Sequence, residues 1–160
     1  MDTLYIVIPA YNESENIKRT IEEWCPVVEK HNGGGASRLV IINDGSRDDT
    51  YEIASAECET RPLLTVLTKP NGGHGSTVLY GYRYALENGA DYIFQTDSDG
   101  QTDPAEFEKF WQIREATTPF SETAQAAATA FPALSWKKCC ARCSGPISTY
   151  PCRMQMPRSV

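Results

Sequence analysis

Two carboxylates one residue apart, Asp97 and Asp99, stand in the segment Thr96-Asp97-Ser98-Asp99-Gly100-Gln101. In an extended stretch just past a strand, alternate residues can present both carboxylates to one cation. Mg²⁺ or Mn²⁺ suits such a pair, because either ion commonly takes one or two carboxylates and completes its shell with water and phosphate oxygens. Gln101 can add a further oxygen. The competing structural reading makes one Asp a turn residue and the other a cap for the next helix. The loop Asn71-Gly72-Gly73-His74-Gly75 carries three glycines just before a helix start, where backbone amides and the helix dipole attract anions. It lacks the Gly-Lys-Ser/Thr of a P-loop and is not Gly-x-Gly-x-x-Gly, which argues against simple ATPase and dinucleotide readings. His74 can touch a phosphate or lie solvated, and Lys69 can contact a ligand or stand as an exposed charge. Asp44 can accept a hydrogen bond from a base or ribose, or close an Asx-turn.

These residues need a frame that brings four loops to one rim, and the hydrophobic pattern supplies it. Leu4-Tyr5-Ile6-Val7-Ile8, stopped by Pro9, and Arg38-Leu39-Val40-Ile41-Ile42, stopped by Asn43-Asp44-Gly45, read as buried parallel strands. Leu63 to Leu67 and Asp91 to Gln95 supply a third and a fourth. Ile17, Ile21, Trp24 and Val28 form one helical stripe that ends at Gly33-Gly34-Gly35. Ser46-x-x-Asp49 predicts a capping box for a second helix, and a third runs from Gly75 to Asn88, closed by Gly89. Asp103-Pro104-x-Glu106 places an N-cap, an N1 proline and an N3 acid at the start of a fourth. This βα alternation predicts an α/β fold: an open, mostly parallel, Rossmann-like sheet with helices on both faces and its ligand site at the carboxyl ends of the strands.

The 160-residue chain is long enough for one domain with its own core. Hydrophobic residues at 41%, charged residues at 22% and a mean hydropathy of -0.42 exclude wholesale disorder. No run approaches the ~18 apolar residues of a membrane span, and Met1-Asp2-Thr3 shows no basic leader, so the expectation is a cytoplasmic protein without a signal peptide. Residues 1–115 carry a net charge of -10 and residues 116–160 a net charge of +4. An acidic head is a poor nucleic-acid binder but can hold a cation that recruits phosphates.

In order along the chain, VIPAYNESENI, VIINDGSRDDT, KPNGGHGSTVLYGYRYAL and ADYIFQTDSDGQTDP resemble the motifs of family 2 glycosyltransferases with the GT-A fold. The resemblance covers about residues 4–114 and is greatest to the polyprenyl-phosphate sugar synthase branch, which includes dolichyl-phosphate mannose synthase-like enzymes. It implies that Pro9, Ala10, Tyr11, Asn12 and Glu13, with Asp44, Gly45 and Ser46, hold the nucleotide of a UDP- or GDP-sugar. Lys69, Asn71, Gly75, Asp97 and Ser98 complete that site. Asp97 and Asp99 become catalytic and, with Gln101, ligate Mg²⁺ or Mn²⁺. The implied reaction inverts the anomeric carbon and delivers the sugar to an acceptor such as a polyprenyl phosphate, with the enzyme peripheral at the inner membrane face. An alcohol acceptor would need a carboxylate base, whereas a lipid phosphate is already anionic. The alternative is a truncated, catalytically impaired nucleotide-sugar-binding remnant. A nucleotidyltransferase would carry a Gly-rich, basic loop after the first strand, and Pro9-Ala-Tyr-Asn-Glu13 is not one. Oligomeric state is left open.

The resemblance stops near Glu115, which sets residues 1–115 apart as the nucleotide-sugar-binding, N-terminal part of a GT-A domain and 116–160 as an irregular tail. The C-terminal half of the fold is expected to be missing or replaced. Four of the six cysteines, Cys139, Cys140, Cys143 and Cys152, crowd the last 22 residues. Cys140-Ala-Arg-Cys143 has half-site zinc spacing, but no second Cys-x-x-Cys follows and neither His31 nor His74 is near in sequence. The genetic code offers another account. If each codon's third base is read with the next codon's first two, Trp136-Lys137 encodes Glu, Cys139-Cys140 encodes Leu, and Met154-Gln155 and Met156-Pro157 each encode Ala. Pro119 to Ala124 becomes compatible with Val-Phe-Gly-Asn-Arg, and Arg153 to Val160 with Asp-Ala-Asn-Ala-Pro-Phe-Arg. Both are similar to family segments downstream of Asp-x-Asp. The expectation is a change of reading frame near Ala116, with a native divergent tail and structural zinc as alternatives.

Overall fold

Strands apolar on both faces must be covered on both faces, and the chain meets that demand by placing its most apolar run at the centre. The computed structural model describes residues 2–114 and 137–138. In chain order its elements are β1 (Leu4–Ala10), α1 (Ile17–Lys30), β2 (Arg38–Asn43), α2 (Thr50–Glu57), β3 (Leu64–Thr68), α3 (His74–Glu87), β4 (Tyr92–Gln95), a 3-10 turn (Pro104–Glu106), α4 (Phe107–Ile113) and β5 (Lys137–Lys138). The sheet order is β3-β2-β1-β4-β5. The first four strands pair in parallel, and β5 runs antiparallel to β4 with Lys138 opposite Tyr92. The expected frame change, the zinc half-site and the boundary after residue 115 lie outside the described residues.

Strand alternation divides the core. Leu4, Ile6, Ile8, Leu39, Ile41 and Phe94 meet the α1 stripe, all four members of which are buried, and Phe107 from α4. Tyr5, Val7, Val40, Ile42 and Ile93 lie on the other face against Ala85, Tyr82 and Tyr84 of α3. Helices therefore cover both faces, as the βα alternation predicts. Trp24, Phe94 and Phe107 form an aromatic knot, with Phe94 and Phe107 edge to face at 5.0 Å. This knot pins the strand that precedes Asp97 and the helix that follows Asp103. Asp103 caps as its sequence suggests, its carboxylate accepting from the Ala105 amide at 2.8 Å.

Two local expectations need correction. Pro9 does not stop β1, which continues to Ala10. The Val7 carbonyl accepts from Thr96 on the β4 side, and the Ala10 carbonyl accepts from Asp44 on the β2 side. By alternation, Pro9 turns its missing N–H toward β4, whose pairing with β1 has already ended at Val7 and Gln95. The proline thus costs no ladder bond. The Ser46-x-x-Asp49 capping box does not form either. Asp49 stands at the N-cap of α2 without a side-chain cap bond, and Asp48 accepts the Thr50 amide instead at 3.1 Å. The Ser46 hydroxyl is spent on the neighbouring loop.

Candidate functional site

β1 is flanked by β2 on one side and β4 on the other, so the connections leaving their carboxyl ends diverge and a crevice opens between them. Pairing that ends at Val7 and Gln95 widens the mouth. The resulting cleft, about 420 Å³, is lined by Pro9, Ala10, Tyr11, Glu13, Asp44, Asn71, Gly73, His74, Thr77, Asp97, Ser98 and Asp99. The rim loops predicted from the sequence converge there.

The loop after β2 is the hub. Toward the first loop, Ser46 Oγ accepts from the Asn12 amide at 2.9 Å, and the Arg47 amide donates to Asn12 Oδ1 at 2.9 Å. Asn12 sits at φ 55°, a left-handed conformation that asparagine tolerates better than most residues. The Glu13 amide donates to Thr50 Oγ1 at 2.8 Å, and the Ser14 amide to Asp48 Oδ2 at 3.1 Å. Toward the glycine loop, Asp44 accepts from the Gly72 amide on Oδ1 and the Gly73 amide on Oδ2, each at 2.9 Å, and pairs with Lys69. Its own carbonyl accepts from Asn71 Nδ2 at 3.0 Å. Gly45, at φ +66°, lets these loops touch: a Cβ there would stand 2.8 Å from the Asn71 nitrogen.

Asp44 is only 3% exposed. Burial pushes its carboxyl up, but hydrogen bonds from Lys69, Gly72 and Thr77 outweigh that and hold it below the ordinary range. The Asx-turn alternative is replaced by long-range bonds to backbone amides 28 and 29 residues ahead. Lys69 is not an exposed charge either. Its ammonium also donates to the Pro70 carbonyl at 3.0 Å, and its side chain is 11% exposed.

Across the cleft, the Asp-x-Asp segment is held at three points. Gln95 Nε2 donates to Asp97 Oδ1 at 2.9 Å, Thr20 Oγ1 donates to the Ser98 carbonyl at 3.0 Å, and the Gln101 amide donates to Asp99 Oδ1 at 3.0 Å. His74, at the first position of α3, brings Nε2 within 3.9 Å of Asp97 Oδ1. The lining contains four acids, Glu13, Asp44, Asp97 and Asp99, and no lysine or arginine. Asp44 is already paired with Lys69, which leaves Glu13, Asp97 and Asp99 as the acids that face the α3 N-terminus across the cleft. Among the described residues no group of three His, Cys, Asp or Glu converges. What Asp97, Asp99 and Gln101 offer is a sparse set of hard oxygens, which fits Mg²⁺ or Mn²⁺ sharing its shell with phosphates and does not fit a closed zinc site.

Of the residues singled out from the sequence, Pro9, Ala10, Tyr11, Glu13, Asp44, Asn71, Asp97, Ser98 and Asp99 line the cleft. Asn12, Gly45, Ser46 and Lys69 lie behind it as fasteners, Gly75 sits in the first turn of α3, and Gln101 approaches Asp99 through its backbone with its side chain exposed. Gln95, Thr20, Thr50 and Asp48 are fasteners that the sequence reading missed. Gln95 alone carried a signal, since it sits two residues before Asp97 and so shares its side of the strand.

An open sheet of order 3-2-1-4, with carboxylates and glycine-loop amides at its switch point, is the nucleotide-binding half of a GT-A domain. Residues 5–119 match the family described as glycosyl transferase family 2, and the chain belongs to that family. It is 33% identical over 117 residues to a dolichyl-phosphate beta-glucosyltransferase of Trichomonas vaginalis, covering 70% of this chain and 34% of the relative. A UDP-N-acetylglucosamine–dolichyl-phosphate N-acetylglucosaminyltransferase of Methanococcus voltae is 30% identical over 123 residues, covering 68% and 46%. The chain thus spans between a third and a half of the length of these relatives. Among solved structures, a mannosyltransferase from Pyrobaculum calidifontis in complex with GDP-Man and Mn²⁺ aligns with TM-score 0.51 at 22% identity, over 60% of this chain and 27% of that one. Glucosyl-3-phosphoglycerate synthase from Mycobacterium tuberculosis, in complex with Mn²⁺, UDP and glucosyl-3-phosphoglycerate, aligns with TM-score 0.52 at 25% identity, over 73% and 40%.

Proposed function

We propose that this chain is the nucleotide-sugar-binding part of a metal-dependent, inverting glycosyltransferase that moves a sugar from a UDP- or GDP-sugar to a polyprenyl phosphate. One observation carries the proposal: the cleft gathers the Asp97 and Asp99 carboxylates, the glycine loop and the start of α3 into one lining that contains no lysine or arginine. Asp97 and Asp99, with the Gln101 carboxamide, are the residues that would hold Mg²⁺ or Mn²⁺. When bound, such an ion supplies charge to the diphosphate as it leaves, a contribution of several kcal/mol. The first-turn amides of α3 take phosphate oxygens. Pro9 to Glu13 and Asp44 serve the nucleoside, and the side-chain partners of Asp44, Lys69 and Thr77, can be exchanged for a ligand donor more readily than the Gly72 and Gly73 amides of a fastened loop. The acceptor oxygen attacks the anomeric carbon from the face opposite the diphosphate, which inverts it.

The dolichyl-phosphate relatives support a lipid-phosphate acceptor, and the Mn²⁺ complexes with GDP-Man and UDP support the metal. Among the described residues no helix is long and apolar enough to cross a membrane. An acceptor of this kind places the reaction at a membrane surface, with the nucleotide-sugar arriving from the cytoplasm. Titration calorimetry with UDP or GDP, with and without Mn²⁺, tests the site. Asp99→Ala is expected to abolish the Mn²⁺-dependent part of the affinity, and an unchanged Mn²⁺ dependence would remove Asp99 from the metal site.

A further inference from the structure

The two carboxylates of the Asp-x-Asp segment are held by different means. Asp99 closes its own turn through the Gln101 amide, a bond that depends only on local backbone. Asp97 has no such turn. Its side chain is 43% exposed, and its oriented contact is the 2.9 Å bond from Gln95 Nε2 to Oδ1. Gln95 is itself fixed. It is the last residue of β4, it stands opposite Val7 in the final pair of the β1–β4 ladder, and the next amide, Thr96, donates to the Val7 carbonyl at 3.2 Å. The carboxamide therefore projects from the final pair of the β1–β4 ladder onto a carboxylate in the cleft wall. Among the described residues neither Asp97 Oδ2 nor Asp99 Oδ2 accepts a hydrogen bond, so each carboxylate keeps one oxygen for a ligand.

We propose that Gln95 is a positioning residue for Asp97: its amide holds Oδ1 and fixes the rotamer in which Oδ2 is offered to a divalent cation. This rests on the metal-dependent reading of the same cleft. Hydrogen bonds that orient a ligating group are worth about 10- to 100-fold in metal affinity. Asp99 needs no such partner, which is why the strand spends its last side chain on Asp97.

The test uses the full 160-residue chain. Mn²⁺ binding in the presence of UDP or GDP is followed by electron paramagnetic resonance of free Mn²⁺, and metal-free nucleotide affinity by calorimetry. Gln95→Met, nearly isosteric but without a donor, is expected to weaken Mn²⁺ about tenfold, with metal-free nucleotide affinity and Tm unchanged. In an Asp97→Ala background the same substitution is expected to do nothing further, because its effect passes through Asp97. If methionine impairs folding, Gln95→Asn, which draws the amide back by one methylene, takes its place with the same expectations. Undiminished Mn²⁺ affinity overturns the inference, as does an equal loss in the Asp97→Ala background or an equal loss of metal-free nucleotide affinity. If Asp99→Ala loses Mn²⁺ dependence while the Gln95 variants keep it, the inference alone falls. If the unsubstituted chain shows no Mn²⁺-dependent nucleotide binding, the metal-dependent reading falls and carries the inference with it.

Discussion

Asp48 shows what a single carboxylate can do between two loops. Burial pushes its carboxyl up, but hydrogen bonds from Thr50 and Ser14 outweigh that and hold its pKa at about 2, below the ordinary value of 3.8. A pKa lower in the folded chain than in the unfolded one stabilises the fold above the unfolded value. That stability is lost as pH falls through the folded value. The window for Asp48 is therefore about pH 4 down to about pH 2. Asp48→Asn is expected to flatten this part of the acid limb, seen as a shallower fall of Tm with pH by circular dichroism, and parallel curves would show that Asp48 does not fasten the loops. None of this was legible in the sequence, because an aspartate in Ser-Arg-Asp-Asp-Thr has only local partners on paper. Asp44 was legible by its place after a strand, but its amide partners belong to another loop and only the fold brings them near.

At the scale of elements, α3 is set by a residue that looks like a defect in its helix. Gly81 lies in mid-helix, where alanine would be favoured by about 1 kcal/mol. Yet a Cβ there would meet Val7 Cγ1 and Ile42 Cδ1, each at 2.4 Å. The Ile42 terminus can swing aside, but the Val7 methyl is fixed to a β-branched carbon on the central strand. Gly81→Ala is therefore expected to lose about 1–2 kcal/mol net, because overpacking outweighs propensity, and to weaken nucleotide affinity by lifting the helix whose first turn lines the cleft. Urea unfolding and calorimetry read the two effects, and a stabilised variant with full affinity would show that the helix does not need this close approach. The α1 stripe, the Asp103 cap and the four parallel strands were legible because their signals are periodic or local. Pro9 misled because the missing donor matters only if a neighbour still pairs there, and the capping box failed because a tertiary bond claimed its serine.

For the molecule as a whole, the loops proposed to bind the donor all lie within the described residues, and the change of frame expected near Ala116 bears on the proposed acceptor half. With such a change, the chain binds nucleotide but transfers sugar to a polyprenyl phosphate at least about 100-fold more slowly than a chain continued in the shifted frame after residue 115, the scale of loss expected when an acceptor is not positioned. Radiolabelled donor at saturating metal measures both, and equal rates would restore the tail as a working part. The strand order carries a consequence for synthesis. β1 leaves the ribosome first, yet it lies between β2, which comes after α1, and β4, which begins only at Tyr92. Until translation passes that point, one side of the most apolar strand is an open edge of the kind that recruits foreign strands. The Asp97-Ser98-Asp99 segment follows β4 directly, so the pairing that covers this edge of β1 also brings the last wall of the cleft into place.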